Sequence, residues 1–158
     1  MSKIQLFENN SEIGAGTRGS SLGVDGLKIA AFNSNSSFFK KFKSKVIPSK
    51  NYVLNEEEKY PKAKRIDSII DVCLSISEHV ASSIKKHKFP FLLSGDHSSA
   101  IGTIAGIKSA NPSLRLGVIW IDAHADLHSP YTTPSGNVHG MSLLASLNQD
   151  NFDRRVHE

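Results

Sequence analysis

A long amphipathic stretch at 64–87, followed at once by an apolar run of strand length, constrains the fold of this chain more than any other feature. The apolar residues of this stretch, from Ile66 to Ile84, recur at steps of three and four, which places them on one face of a helix. The run Phe-Pro-Phe-Leu-Leu at 89–93 has the length of a strand. Because an amphipathic helix must cover its apolar face, the pair predicts a helix packed on a sheet.

The same alternation extends along the rest of the chain. Residues 3–7 and the short segment 46–48 are predicted strands. A weaker helical pattern begins near Val24, and residues 98–110 are predicted to form a short helix of small residues. Residues 116–121, Leu-Gly-Val-Ile-Trp-Ile, are apolar on both faces, as a central strand of a parallel sheet should be. Strands that alternate with helices predict an α/β domain with a mostly parallel sheet.

Composition narrows the function classes. The 158 residues fit one domain over 1–158, and 39% hydrophobic with 22% charged residues is typical of an ordinary globular protein. No apolar run approaches the ~20 residues of a membrane helix, and the start lacks the apolar core of a secretory signal. The single Cys73 cannot form an internal disulfide, which favours the cytoplasm. The net charge of +4 comes from short lysine clusters near predicted helix ends, so we predict neither a nucleic-acid nor a membrane partner.

Two clusters of metal-type ligands follow directly on predicted strands. They are Ser-Gly-Asp-His-Ser at 94–98 and Asp-Ala-His-Ala-Asp at 122–126. Ligands bind beyond the carboxyl ends of parallel strands, and in an extended chain residues i, i+2 and i+4 point to one side. We therefore expect Asp122, His124 and Asp126 to converge, with His97 as a fourth ligand. Carboxylates suit Mn²⁺, imidazole also admits Zn²⁺ or Fe²⁺, and two octahedral ions would need further carboxylates.

Structural alternatives remain open for each cluster. Asp96 could cap the helix that follows it, and the 122–126 segment could be a turn with a solvated histidine. The polar loop at 132–140, Thr-Thr-Pro-Ser-Gly-Asn-Val-His-Gly, is suited to receive a polar ligand such as the charged head of an amino acid. In that loop His139 could transfer protons, or the loop could be a solvated turn in which Asn137 caps a helix.

The three motifs, in this order and at these separations, resemble the ureohydrolase superfamily and look most like those of arginases. The segment Glu-Ile-Gly-Ala-Gly-Thr-Arg-Gly at 12–19 also resembles the loop after the first strand of bacterial arginases. The resemblance extends from about residue 4 to about residue 147. It implies a three-layer α-β-α fold with a mostly parallel sheet, of which this chain would be the amino-terminal part, truncated on the carboxyl-terminal side.

The resemblance also implies a reaction and a role for each site residue. The reaction would be hydrolysis of L-arginine to L-ornithine and urea by a hydroxide that bridges two Mn²⁺ ions, in a protein that is a homo-oligomer at full length. Asp122 would bridge the ions and His139 would be the catalytic proton-transfer residue. The other metal ligands would be His97, His124 and Asp126, and the substrate-binding residues would be His128, Thr133, Ser135 and Asn137.

Departures from the arginase pattern leave alternatives. Arginases carry Asn where this chain has His128, which bears on the substrate. Their second half supplies an Asp-x-Asp motif and a glutamate that cannot be located here, so we expect this chain alone to be inactive. The alternatives are an agmatinase, a formimidoylglutamase, or a truncated relative without catalysis. Agmatine has no α-carboxylate, so the Ser-Gly-Asn loop at 135–137 disfavours an agmatinase.

Overall fold

A parallel sheet of three strands forms the centre of the molecule. The computed structural model describes residues 3–147, and residues 148–158 of the predicted domain lie outside that range, as do residues 1 and 2. The strands are β1 (Ile4–Asn9), β2 (Ser44–Val46) and β3 (Phe89–Ser94), in the order β2-β1-β3. Both pairings are parallel, which confirms the predicted sheet type.

Helices connect and cover these strands. The predicted helices at 64–87 and 98–110 are confirmed with slightly shorter bounds, and the weaker pattern near Val24 also forms a helix. None of the helices within the described range is both long and apolar enough to cross a membrane. The helices are α1 (Gly23–Asn33), α2 (Phe38–Lys41), α3 (Ile66–Lys85), α4 (Ser99–Ala110) and α5 (Ser142–Ser146), with 3₁₀ turns at Ser20–Leu22, Asn51–Asn55 and Val138–Met141.

The core lies between α3 and the central strand β1. Phe7 on β1 packs with Ile69, Ile76 and Val80, which are members of the predicted apolar stripe of α3. Helix α4 approaches α3 closely at its glycines: a Cβ built on Gly106 would lie 2.6 Å from a backbone oxygen of α3. This packing fixes the turn between β3 and α4 at the carboxyl edge of the sheet.

The prediction of a central strand at 116–121 was wrong for the described sheet. The segment has no ladder partner within residues 3–147, and Ile119 and Ile121 are 90% and 92% exposed. An apolar sequence favours a strand only where a neighbouring strand supplies hydrogen bonds, and β3 is paired on one side only, with β1. The 116–121 segment still contributes to the site, because it leads directly into Asp122.

Candidate metal and substrate site

Three of the predicted ligands converge where β3 and the 116–121 segment end. Nδ1 of His97 lies 2.8 Å from Oδ2 of Asp122 and 3.1 Å from Oδ2 of Asp126. One ligand atom from each residue lies within 4.8 Å of the other two. Asp126 is only 8% exposed, and neither carboxylate pairs with a lysine or arginine of the described chain. Two carboxylates and an imidazole in this arrangement fit a cation.

The electrostatics of Asp122 keep it charged. Its Oδ1 accepts the backbone N–H of His124 at 2.9 Å, and this hydrogen bond lowers the pKa of the Asp122 carboxyl. Partial burial opposes the shift, while His97 and His124 add to it. A carboxyl with a lowered pKa is ionised throughout the neutral range and available to a cation.

The prediction that the 122–126 segment is extended was wrong. The chain bends at residues 122–124, and Asp126 adopts a left-handed conformation with φ of 50°. The bend turns His124 outward: its ring is 84% exposed, and its Nδ1 lies 3.7 Å from Oδ1 of Asp122. The structure therefore brings His97, Asp122 and Asp126 together and leaves His124 beside them.

Asp96 holds the turn before α4, but it does not cap that helix, so this alternative is not observed. Ser98 is the N-cap residue of α4, and no side chain caps the helix start. Oδ1 of Asp96 accepts the N–H of Ser98 at 2.8 Å. Its Oδ2 accepts the N–H of Gly14 at 3.0 Å, which ties the loop after β1 to this turn. Asp96 thus positions the turn that carries His97. The ring of Trp120, which is half-buried, lies 4.9 Å from the ring of His97, centroid to centroid.

A cavity of about 870 Å³ opens over this cluster, and every predicted site residue lines it. The metal-type side chains and residues of the polar loop at 132–140 line the same cavity, so segments that are separate in the chain share one space. The predicted residues in its wall are His97, Asp122, His124, Asp126, His128, Thr133, Ser135, Asn137 and His139.

The polar loop presents hydroxyls that are already held in place. Oγ1 of Thr133, a buried residue, accepts the N–H of Gly136 at 2.9 Å, and Oγ of Ser135 accepts the N–H of Asn137 at 3.2 Å. Gly136 has a φ of 74°, and a Cβ there would lie 1.9 Å from the carbonyl oxygen of Pro61, so only glycine fits. Asn137 does not cap the following 3₁₀ turn through its side chain, so that alternative is not observed.

His128 and His139 are held by backbone contacts. The N–H of His128 donates to the carbonyl of Gly140 at 3.1 Å, and its Nδ1 lies 3.3 Å from Oγ1 of Thr132. The N–H of His139 donates to the carbonyl of Gly14 at 3.2 Å. Gly14 therefore contacts both the turn of His97, through Asp96, and the loop of His139.

Two residues that organise this region were not predicted from the sequence. Glu12 is 2% exposed and accepts backbone hydrogen bonds within the loop after β1. Arg65 contacts that loop from the start of α3. Glu12 and its glycine-rich neighbours stood out only through the resemblance, and Arg65 lies in a lysine-rich stretch that resembles ordinary solvated surface.

A family model described as the arginase family matches residues 7–156. The chain belongs to the arginase family.

Relatives within this family match a part of their length. An arginase of Staphylococcus aureus (strain MRSA252) is 48% identical over 80 residues, which cover 51% of this chain and 26% of that protein. The arginase of Bacillus subtilis (strain 168) is 45% identical over 95 residues, covering 60% of this chain and 30% of that protein.

Solved arginases share the fold. The arginase of Entamoeba histolytica, crystallised with L-ornithine, superposes with a TM-score of 0.74 at 27% identity, over 89% of this chain and 48% of that one. An arginase structure from B. subtilis superposes with a TM-score of 0.70 at 30% identity, over 91% of this chain and 46% of that one. The arginase-like α/β fold is thereby confirmed. The chain spans about half the length of the solved arginases that it matches.

Proposed function

We propose that this chain carries the amino-terminal share of the active centre of a manganese-dependent arginase, which hydrolyses L-arginine to L-ornithine and urea. The observation that carries the proposal is the shared cavity, which is lined both by the cluster of His97, Asp122 and Asp126 and by the loop of Ser135 and His139. A hydrolase of a guanidinium compound needs metal ligands or a base to activate water, and polar side chains to bind the rest of the substrate. Side chains of both kinds line this cavity.

His97, Asp122 and Asp126 would hold the metal, with His124 at the rim. A set of oxygen and imidazole donors without thiolate favours Mn²⁺ over ions that prefer sulfur. When bound, such ions lower the pKa of water and so supply a nucleophile at neutral pH. Cys73 stands apart from this chemistry: burial raises the pKa of its thiol to about 11, and its Sγ donates to the carbonyl of Ser98.

The loop at 132–140 would hold the α-carboxylate of the amino acid. The hydroxyls of Thr133 and Ser135 already accept one hydrogen bond each, and each can still donate its own hydrogen to a carboxylate oxygen. Asn137 would add an amide N–H. His139 would deliver a proton to the amine that leaves, because an imidazole can both bind and release a proton near neutral pH.

A second candidate is a relative that binds metal without catalysis. The observation in its favour is that only three donors converge within residues 3–147, whereas Mn²⁺ in oxygen-rich sites takes about six ligands. An arginase would need further carboxylates to complete two sites.

We further propose a cytoplasmic location and a homo-oligomeric assembly. The single, half-buried cysteine supports the first, since a thiol of this kind needs no oxidising compartment. The second rests on membership of the arginase family.

A substrate panel on the complete gene product with Mn²⁺ tests the proposal. We expect kcat/KM for L-arginine to exceed that for agmatine by about a hundredfold or more. Hydrogen bonds to a charged carboxylate contribute about 1.5–3 kcal/mol each, and agmatine lacks that group. The variant Ser135→Ala should lower kcat/KM for arginine and leave that for agmatine unchanged. Agmatine turnover above arginine turnover would overturn the arginase assignment, and no turnover of either would favour the non-catalytic candidate.

A further inference from the structure

Arg65 contacts two loops, the loop after β1 and the polar loop at 132–140. Its Nε donates to the carbonyl of Ile13 at 2.9 Å, and one terminal nitrogen donates to the Glu58 carboxylate at 3.0 Å. The other terminal nitrogen donates to Oδ1 of Asn137 at 3.5 Å. The side chain is 16% exposed. Each nitrogen of the guanidinium therefore has its own partner: the bonds to Ile13 and Glu58 have ordinary lengths, and the contact to Asn137 is a long one.

This contact decides which way the amide of Asn137 points. Arginine carries only donors, so the atom of Asn137 that faces it must be the oxygen. The –NH₂ group then lies on the opposite side of the amide, and within the described chain it has no hydrogen-bond acceptor. Asn137 lines the cavity together with Ser135 and His139. Its amide is therefore oriented as a donor with a place left for an anionic group of a ligand.

A glycine in the loop after β1 leaves space for the contact between Arg65 and Asn137. A Cβ on Gly16 would lie 2.5 Å from Nη2 of Arg65 and 2.9 Å from Oδ1 of Asn137, so a side chain there would enter the contact. The N–H of Lys64 donates to the carbonyl of Gly136 at 2.9 Å. The start of α3 thus holds both the backbone of the polar loop and the side chain of Asn137.

We propose that Arg65 is a positioning residue that orients the amide of Asn137 toward the α-carboxylate of the substrate. The inference rests on the proposed arginase function. Because Glu58 neutralises the guanidinium, Arg65 acts through the geometry of Asn137 and not through a long-range charge. Its effect is therefore confined to substrates that have an α-carboxylate.

Steady-state kinetics of the complete gene product test this role. The variant Arg65→Gln should raise KM for L-arginine about tenfold and leave kcat within about twofold, as expected when a contact to the bound substrate is lost. KM for agmatine should not change, since agmatine has no carboxylate. In the background of Asn137→Ala the Arg65→Gln change should have no further effect on KM.

Arg115→Gln is the matched control. Arg115 is an exposed arginine after α4, and its side chain makes no hydrogen bond to Asn137. Its removal should leave KM for arginine unchanged. Equal increases in KM for arginine and agmatine, or additive effects of the changes at 65 and 137, would overturn the proposal.

Hydrogen–deuterium exchange provides a readout that needs no activity. Arg65→Gln should speed exchange in residues 133–140 and leave the packed pair α3–α4 protected, which also shows that the variant folds. Unchanged exchange in the loop together with normal wild-type activity would overturn the role of Arg65 alone. A wild-type protein that hydrolyses no arginine would overturn the proposed function, and the substrate role of Arg65 with it.

Discussion

Glu12 shows how one buried side chain stabilises the loop that reaches both parts of the site. Its Oε2 accepts the N–H groups of Gly19 and Ser21, both at 2.9 Å, and Arg18 lies 3.5 Å from Oε1. Burial by itself raises the pKa of Glu12, but the hydrogen bonds from Ser21, Gly19 and Arg18 outweigh it and hold the pKa below the usual 4.5. The ionised form is therefore the one that the fold stabilises.

Replacement of Glu12 by glutamine should destabilise the protein in a pH-dependent way. A lowered pKa in the folded state contributes stability above the usual value of 4.5 and loses it as the pH falls through the folded value. We expect a loss of about 1–2 kcal/mol in the free energy of unfolding at neutral pH, from weakened charge-assisted hydrogen bonds. Urea unfolding should show the difference from wild type shrinking in acid. A difference that stays constant with pH would contradict this role, and the exposed Glu57→Gln serves as the control.

At the scale of elements, the pair α3–α4 carries the turn that presents His97. Helix α4 lies close to α3 because Gly102 and Gly106 have no side chains: a Cβ on either would lie 2.5 Å or 2.6 Å from a backbone oxygen of α3. Such a contact leaves no room for a methyl group without separating the helices. The position of His97 therefore depends on two glycines that do not line the cavity.

Gly106→Ala should lower the free energy of unfolding by about 1–3 kcal/mol, because the methyl group has to push the helices apart. Gly26→Ala is the matched control. Gly26 lies in α1, and a Cβ added there would have no atom within 4 Å, so alanine should stabilise by about 0.5–1 kcal/mol. Thermal or urea unfolding compares the two, and a stabilised Gly106→Ala variant would contradict the packing.

Patterns within a single element predicted much of this architecture. The stripe of α3 and the apolar run of β3 were predictable because each repeats along its own segment. The conformation of residues 116–121 was not predictable in this way, because a strand forms only beside a partner strand. The bend after Asp122 replaced an extended segment through a local hydrogen bond to the N–H of His124. The contact of Arg65 with Asn137 joins residues 72 positions apart and leaves no trace in local periodicity.

At the scale of the whole molecule, the site is formed where separate segments converge, and the sheet places only those that follow β1 and β3. The turn after β3, the segment at 122–126 and the loop at 132–140 surround one cavity, while the loop after β1 supports two of them through Gly14. The described residues supply three convergent metal donors. Arginases matched by this chain are about twice as long, so the proposed binuclear centre would draw its other carboxylates from beyond the matched part.

A calorimetric titration of the 158-residue chain with Mn²⁺ tests the central claim most directly. We expect weak binding, because three donors leave an octahedral ion without half of its protein ligands. Asp126→Asn should abolish that binding, whereas Asp67→Asn on the exposed side of α3 should not alter it. Tight binding of two ions would contradict the claim that the site is only partly supplied by these residues. Equal binding by wild type and Asp126→Asn would contradict the metal site itself.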